Sequence, residues 1–184
     1  FHHRINGATG QPAKHIGGRL YVDGQAVLAL VLLEKDVRNN SRSGFASHGN
    51  IQNAVDKAMT FFGEGYWDHF AGQFFFIEEN WHCIAASAAL GHHRHERYER
   101  LCLDYLRFKA RFIHDGTTGS AEDYRGGWGF SNLVPPHNTA TAGFGEALAA
   151  GIKVMRARGM ETKQEEILMK EAMGFLIRNQ WHAE

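Results

Sequence analysis

The residues with the greatest capacity for chemistry are acidic and polar side chains set beside aromatic rings at three places in the chain. The first runs Tyr21, Asp23, Gln25; the second runs Glu78, Glu79, Asn80, Trp81, His82; the third runs His137, Asn138, Thr139 and on to Glu146. Acid/base chemistry on a sugar needs one protonated and one ionised carboxyl in a partly desolvated mouth, with rings to stack against the sugar. Asp23, Glu79, His82 and Glu146 are therefore the candidate acid/base groups. Tyr21, Trp81, Tyr124 and Trp128 are candidate stacking platforms, and Gln25, Asn80, His137 and Asn138 candidate polar contacts to substrate. The same carboxylates also have a structural reading, because the helix dipole and capping favour Asp and Glu in first turns.

A second cluster, Gly91-His92-His93-Arg94-His95-Glu96, is the densest in histidine. A zinc site needs three or four converging ligands, and no HExxH, CxxC or regular Cys/His spacing is present. We read it as a solvated turn, with no metal or cofactor expected. Cys83 and Cys102 fall in or beside predicted helices and are read as free, buried thiols. Walker, GxSxG, DDxxD and DxDD motifs are absent.

These groups must be positioned by helices. Gly24–Leu30, Trp81–Leu90 and Gly145–Ile152 are short, small-residue, apolar segments with almost no charge in their middles, the texture of buried helices. Between them lie amphipathic segments. Ile51, Val55, Ala58, Met59 and Phe62 share one helical face, as do Tyr98, Leu101, Cys102, Tyr105, Phe108 and Phe112, and then Leu168, Ala172, Phe175 and Leu176. Thr162 and Glu165 predict a capping box for the last of these, and Gly91 and Gly159 predict left-handed helix ends. The chain thus reads as three inner/outer hairpins, 1–66, 67–115 and 116–184, with at most a short strand near Phe74–Phe76. The segments ahead of the inner helices, Lys14–Tyr21, Tyr66–Trp81 and Asp123–Asn138, are long and rich in glycine and rings, as functional loops are.

Composition narrows the class. Hydrophobic residues make up 43%, enough for a core and too many for disorder. Twenty basic residues balance twenty acidic ones, which argues against a nucleic-acid partner, although twelve histidines would make the chain cationic in mild acid. No apolar run approaches the ~20 residues needed to span a bilayer, so a soluble chain without a membrane partner is expected. The sequence opens at Phe1 with no initiator methionine and no visible signal peptide, and its compartment is left open.

Tyr21–Leu30 and Thr139–Leu148 resemble inner helices of the six-hairpin glycosidase superfamily, which includes toroidal glycoside hydrolases, polysaccharide lyases, and N-acylglucosamine and glucuronyl epimerases. The resemblance is one of texture over most of the chain, and no family catalytic motif is matched. It implies an all-α fold of repeated hairpins, an α/α toroid or an arc of one, acting on a sugar or other small polar ligand. A non-catalytic helical-repeat module binding a peptide or protein is the alternative; a metal-dependent cyclase-type toroid is disfavoured by the missing motifs. Three hairpins leave apolar flanks at Val27, Leu28, Leu30, Val31 and Leu32 and at Leu148, Ile152 and Val154, so a homodimer or the remainder of a larger chain is expected to cover them.

Overall fold

The computed structural model describes residues 8–9, 22–40, 48–70, 80–116, 122–129 and 134–180. Six α-helices account for most of them: α1 (Val22–Asn40), α2 (His48–Phe70), α3 (Asn80–Ala89), α4 (Glu96–Ala110), α5 (Asn138–Ala157) and α6 (Lys163–Arg178). A 3-10 turn, Glu122–Tyr124, precedes α5, and the one β-type pairing among the described residues is an isolated bridge between Ile113 and Trp128.

The small-residue segments form one layer in which α3 lies between α1 and α5. Behind it, α2 packs on α1, α4 packs on α2, α3 and α5, and α6 packs on α5. Gly24 lets α1 and α3 approach closely, since a Cβ there would stand 2.6 Å from the Trp81 Cβ. Further along, the His92 ring is hydrogen-bonded to the Val31 carbonyl at 3.2 Å. Matching start to start and end to end, these contacts make α1 and α3 parallel. Asn80 against Glu146 and Gly143 at one end, and Ser87 and Ala88 lining one cavity with Lys153 at the other, do the same for α3 and α5.

The apolar faces read from the sequence supply the core. Val27 and Val31 of α1 meet Val55 and Met59 of α2, all fully buried, with Tyr98, Cys102 and Tyr105 of α4 in the same cluster. Each such aliphatic side chain contributes about 1.5–3 kcal/mol on burial. In α6, Leu168, Ala172 and Phe175 of the expected face are buried, and Leu176 is partly buried.

Several expectations are corrected. Cys83 of α3 and Cys102 of α4 are not free thiols: they form a disulfide, because both lie at the α3–α4 seam with their Cα atoms 4.7 Å apart. Thr162 does start α6, but without a capping box. Its hydroxyl donates to Glu166 at 2.6 Å, a carboxylate that Arg156 of α5 also holds at 2.9 Å, and is drawn away from the helix amides. Gly159 has the expected left-handed backbone (φ 69°), with Met160 N–H returning to the Met155 carbonyl at 2.9 Å. Gly91 does not; there the His92 and His93 amides both return to the Ala89 carbonyl, at 3.0 and 2.8 Å, and prolong the right-handed turn.

The helices also extend into expected loops. α2 continues through Tyr66 to Phe70, across the expected hairpin boundary, and α3 already begins at Asn80. Of the two flanks expected to be bare, that on α5 is covered: Leu148, Ile152 and Val154 are buried, with α4 and α6 packed on that helix. On α1, Val27 and Val31 are buried while Leu32 and Leu33 are 50% and 42% exposed. The inner helices are therefore not apolar all round. α5 turns Ala142, Glu146, Ala149 and Lys153 to the open side of its layer. The expected strand at Phe74–Phe76 lies outside the described residues, as does the expected loop Lys14–Tyr21.

Candidate functional site

The starts of α1, α3 and α5 bring together part of the expected constellation. Asn80, the first residue of α3, is buried, and its Nδ2 donates to Glu146 Oε2 of α5 at 3.3 Å. Gly143, one helical turn before Glu146, lies against the same amide: a Cβ there would stand in ordinary contact with Asn80 Nδ2, at 3.5 Å. Glu146 itself is exposed. Trp81 is half-buried beside Asn80, braced on its α1 side by Gly24, and Gln25 of α1 is exposed next to that contact. A carboxylate held by a buried amide has a second oxygen to offer a ligand, and Trp81, the next residue of α3, is a ring at the same end of the layer.

Other expected site residues are placed elsewhere. His82 is a correction: it points to the opposite side of α3, with its ring 4.6 Å from that of Phe62 and its Nδ1 hydrogen-bonded to the Tyr98 hydroxyl at 2.7 Å. Burial disfavours its charged form and pushes its pKa down to about 3, so it is a neutral core imidazole without access to a substrate. Trp128 is a second correction. Its side chain is fully buried against Phe144, its Nε1 donates to the Lys109 carbonyl at 3.0 Å, and it has no face left for stacking. Asp23 is buried in the first turn of α1.

His137 caps α5, with Nδ1 accepting from the Ala140 amide at 3.2 Å; Asn138 is exposed beside it. Tyr124 is half-buried, edge-on to His114 at 5.8 Å. Tyr21 and Glu79 lie outside the described residues.

The histidine cluster is not a solvated turn, because each ring has a specific partner. His92 meets the Val31 carbonyl, and His93 Nδ1 lies 2.9 and 3.1 Å from the two oxygens of Glu34, a fully buried carboxylate of α1. His95 caps α4, with Nδ1 accepting from the Tyr98 amide at 3.2 Å and Nε2 3.1 Å from the Thr60 hydroxyl of α2. The cluster ties helices together. No group of three metal-binding side chains converges among the described residues.

Beside it, Glu99 is gripped by Arg94 at 2.8 and 2.9 Å and by Arg158 at 3.0 Å. Burial alone would raise its pKa, but the two guanidinium groups outweigh burial and hold it below the ordinary carboxylate range.

Sequence reasoning missed one feature of the open face. Toward the far ends of α1, α3 and α5 lies a cavity of about 520 Å³ whose rim carries Lys35, Arg38 and Lys153. These cations come from helices more than a hundred residues apart in the chain, and a net charge of zero conceals them. Only the parallel alignment of the three helices brings them together.

Comparison with protein-family models, with curated proteins and with solved structures finds no match to this chain.

Proposed function

We propose that the open face of the α1–α3–α5 layer is the sugar-binding surface of a carbohydrate-active enzyme of the α/α-toroid type, a glycoside hydrolase, polysaccharide lyase or sugar epimerase. The observation that carries this reading is the Asn80–Glu146 pair beside Trp81. The Asn80 amide fixes one oxygen of Glu146 and leaves the other to exchange a proton with substrate, while Trp81 supplies a stacking surface. The partner carboxylate is assigned to Glu79, which directly precedes Asn80 in the chain, in place of Asp23, whose burial takes it off the open face. In a hydrolase the separation of the two carboxyls, about 5–5.5 Å or about 6.5–9.5 Å, would set retention or inversion.

The alternative, a non-catalytic helical-repeat module that binds a protein, is favoured by one observation, the exposed Leu32 and Leu33 on α1. The two readings separate on a panel of neutral and acidic polysaccharides. An enzyme converts at least one of them, and Glu146→Gln and Glu79→Gln abolish the turnover while circular dichroism stays unchanged. Turnover that survives both substitutions removes Glu146 and Glu79 from the chemistry. Absence of turnover across the panel favours the module.

A further inference from the structure

The cavity at the far end of the layer is built differently from the other charged cavity nearby. Between Arg94 and Arg158 the Glu99 carboxylate sits as a fixed counter-charge, and that site is satisfied from within. The cavity bounded by Lys35, Arg38 and Lys153 has no Asp or Glu in its lining among the described residues. Arg38 reaches Glu34 only at 3.5 Å, and neither Lys35 nor Lys153 makes an ion pair among those residues. The attraction of cations to helix C-termini explains Arg38, which lies in the last turn of α1. It does not explain Lys35 or Lys153, which stand more than a turn before the ends of α1 and α5.

Space is left between these cations because α3 offers small residues there: Ser87, Ala88 and Gly91 line the cavity. Lys35, Arg38 and Lys153 are exposed, and like charges that line one concave surface focus a positive potential that draws an anion. The volume of about 520 Å³ lies within the ~300–1,000 Å³ of small-molecule sites and exceeds what a single ion fills.

We propose that this cavity binds a sugar-sized molecule bearing a tetrahedral oxyanion, a phosphate or sulfate ester. Its oxyanion lies between Lys153 on one side and Lys35 and Arg38 on the other, and the Ser87 hydroxyl is available to the ligand's own hydroxyls. The site is independent of the carbohydrate-active reading of the Asn80–Glu146 end.

Isothermal titration calorimetry at fixed ionic strength tests it, with glucose 6-phosphate, glucose 6-sulfate, inorganic phosphate and glucose as probes. The esters bind and glucose does not enter this site. Lys153→Ala weakens ester binding about tenfold, the loss of one charge-assisted hydrogen bond, and Lys153→Glu abolishes it, with the melting temperature of both variants near that of the parent. The relative affinity of phosphate and sulfate esters identifies which of the two is preferred. Ester binding that is unchanged in Lys153→Glu overturns the proposal, as does the absence of ester binding. Inorganic phosphate binding as tightly as its ester overturns the sugar-sized part and assigns a free ion. No turnover is measured, so failure here and failure of the enzymatic reading are distinguishable.

Discussion

Acidification should destabilise this protein through His82. In the folded state burial holds the ring neutral, with a pKa near 3 against an ordinary value of 6.5. Once unfolded, the ring takes up a proton below pH 6.5 that the folded state refuses until about pH 3. The unfolded state therefore binds more protons throughout that window, and stability falls as pH falls. The limiting slope is about 1.4 kcal/mol per pH unit, and between pH 6 and pH 4 His82 alone removes about 2.5 kcal/mol.

Other groups titrate in the same range, so the assay is a difference. Urea unfolding followed by circular dichroism is run from pH 7 to pH 4 on the parent and on a His82→Phe, Tyr98→Phe double variant. That variant removes the imidazole and the hydroxyl bonded to it together, leaving neither half of the pair unsatisfied. The parent should lose about 2.5 kcal/mol more than the variant over two pH units. Equal pH dependence in the two would refute the neutral, buried assignment of His82.

Two further outcomes follow from the layers. Ala86→Asp, which buries an unpaired charge in α3, should cost more than about 3 kcal/mol, whereas Arg107→Asp, on the exposed side of α4, should change stability by about 1 kcal/mol or less; urea melts of the two variants that coincide near the parent would contradict the packing. Reducing the Cys83–Cys102 disulfide, which joins residues 19 apart, should cost roughly 3 kcal/mol and lower the melting temperature by about 6–12 °C; a Cys83→Ala, Cys102→Ala variant should melt with the reduced protein and ignore reductant.

The fold was more legible than the site because helical periodicity is a local signal. Of the faces read residue by residue, Ile51, Val55, Met59 and Phe62, and Tyr98, Leu101, Cys102 and Tyr105, are buried, while Ala58, Phe108 and Phe112 pack against the core partly buried. Small residues do not by themselves mark a buried position in α1 and α5: Ala29, Ala142 and Ala149 are exposed. Adjacency in sequence misled in the same way at the site. Asn80, Trp81 and His82 are consecutive, but a helix turns about 100° per residue, so His82 enters the core while its neighbours stay at the open side. Trp128 has the sequence setting of a platform, a glycine-rich loop, but its amide bonds to Thr141 and its ring packs on Phe144. The disulfide had no spacing signature, since it depends on the packing of α3 against α4.

The central claim, that the starts of α1, α3 and α5 form a sugar-binding face, is tested most directly by glycan-array binding of the parent and of Trp81→Ala, with Glu146→Gln alongside. The account predicts that the parent binds a defined set of oligosaccharides. It further predicts that Trp81→Ala weakens them at least tenfold, the value of about 1.4 kcal/mol for a stacking ring, and that Glu146→Gln retains binding, since it keeps a hydrogen-bonding side chain on Asn80. A parent that binds no glycan, or glycan binding indifferent to Trp81, would contradict it.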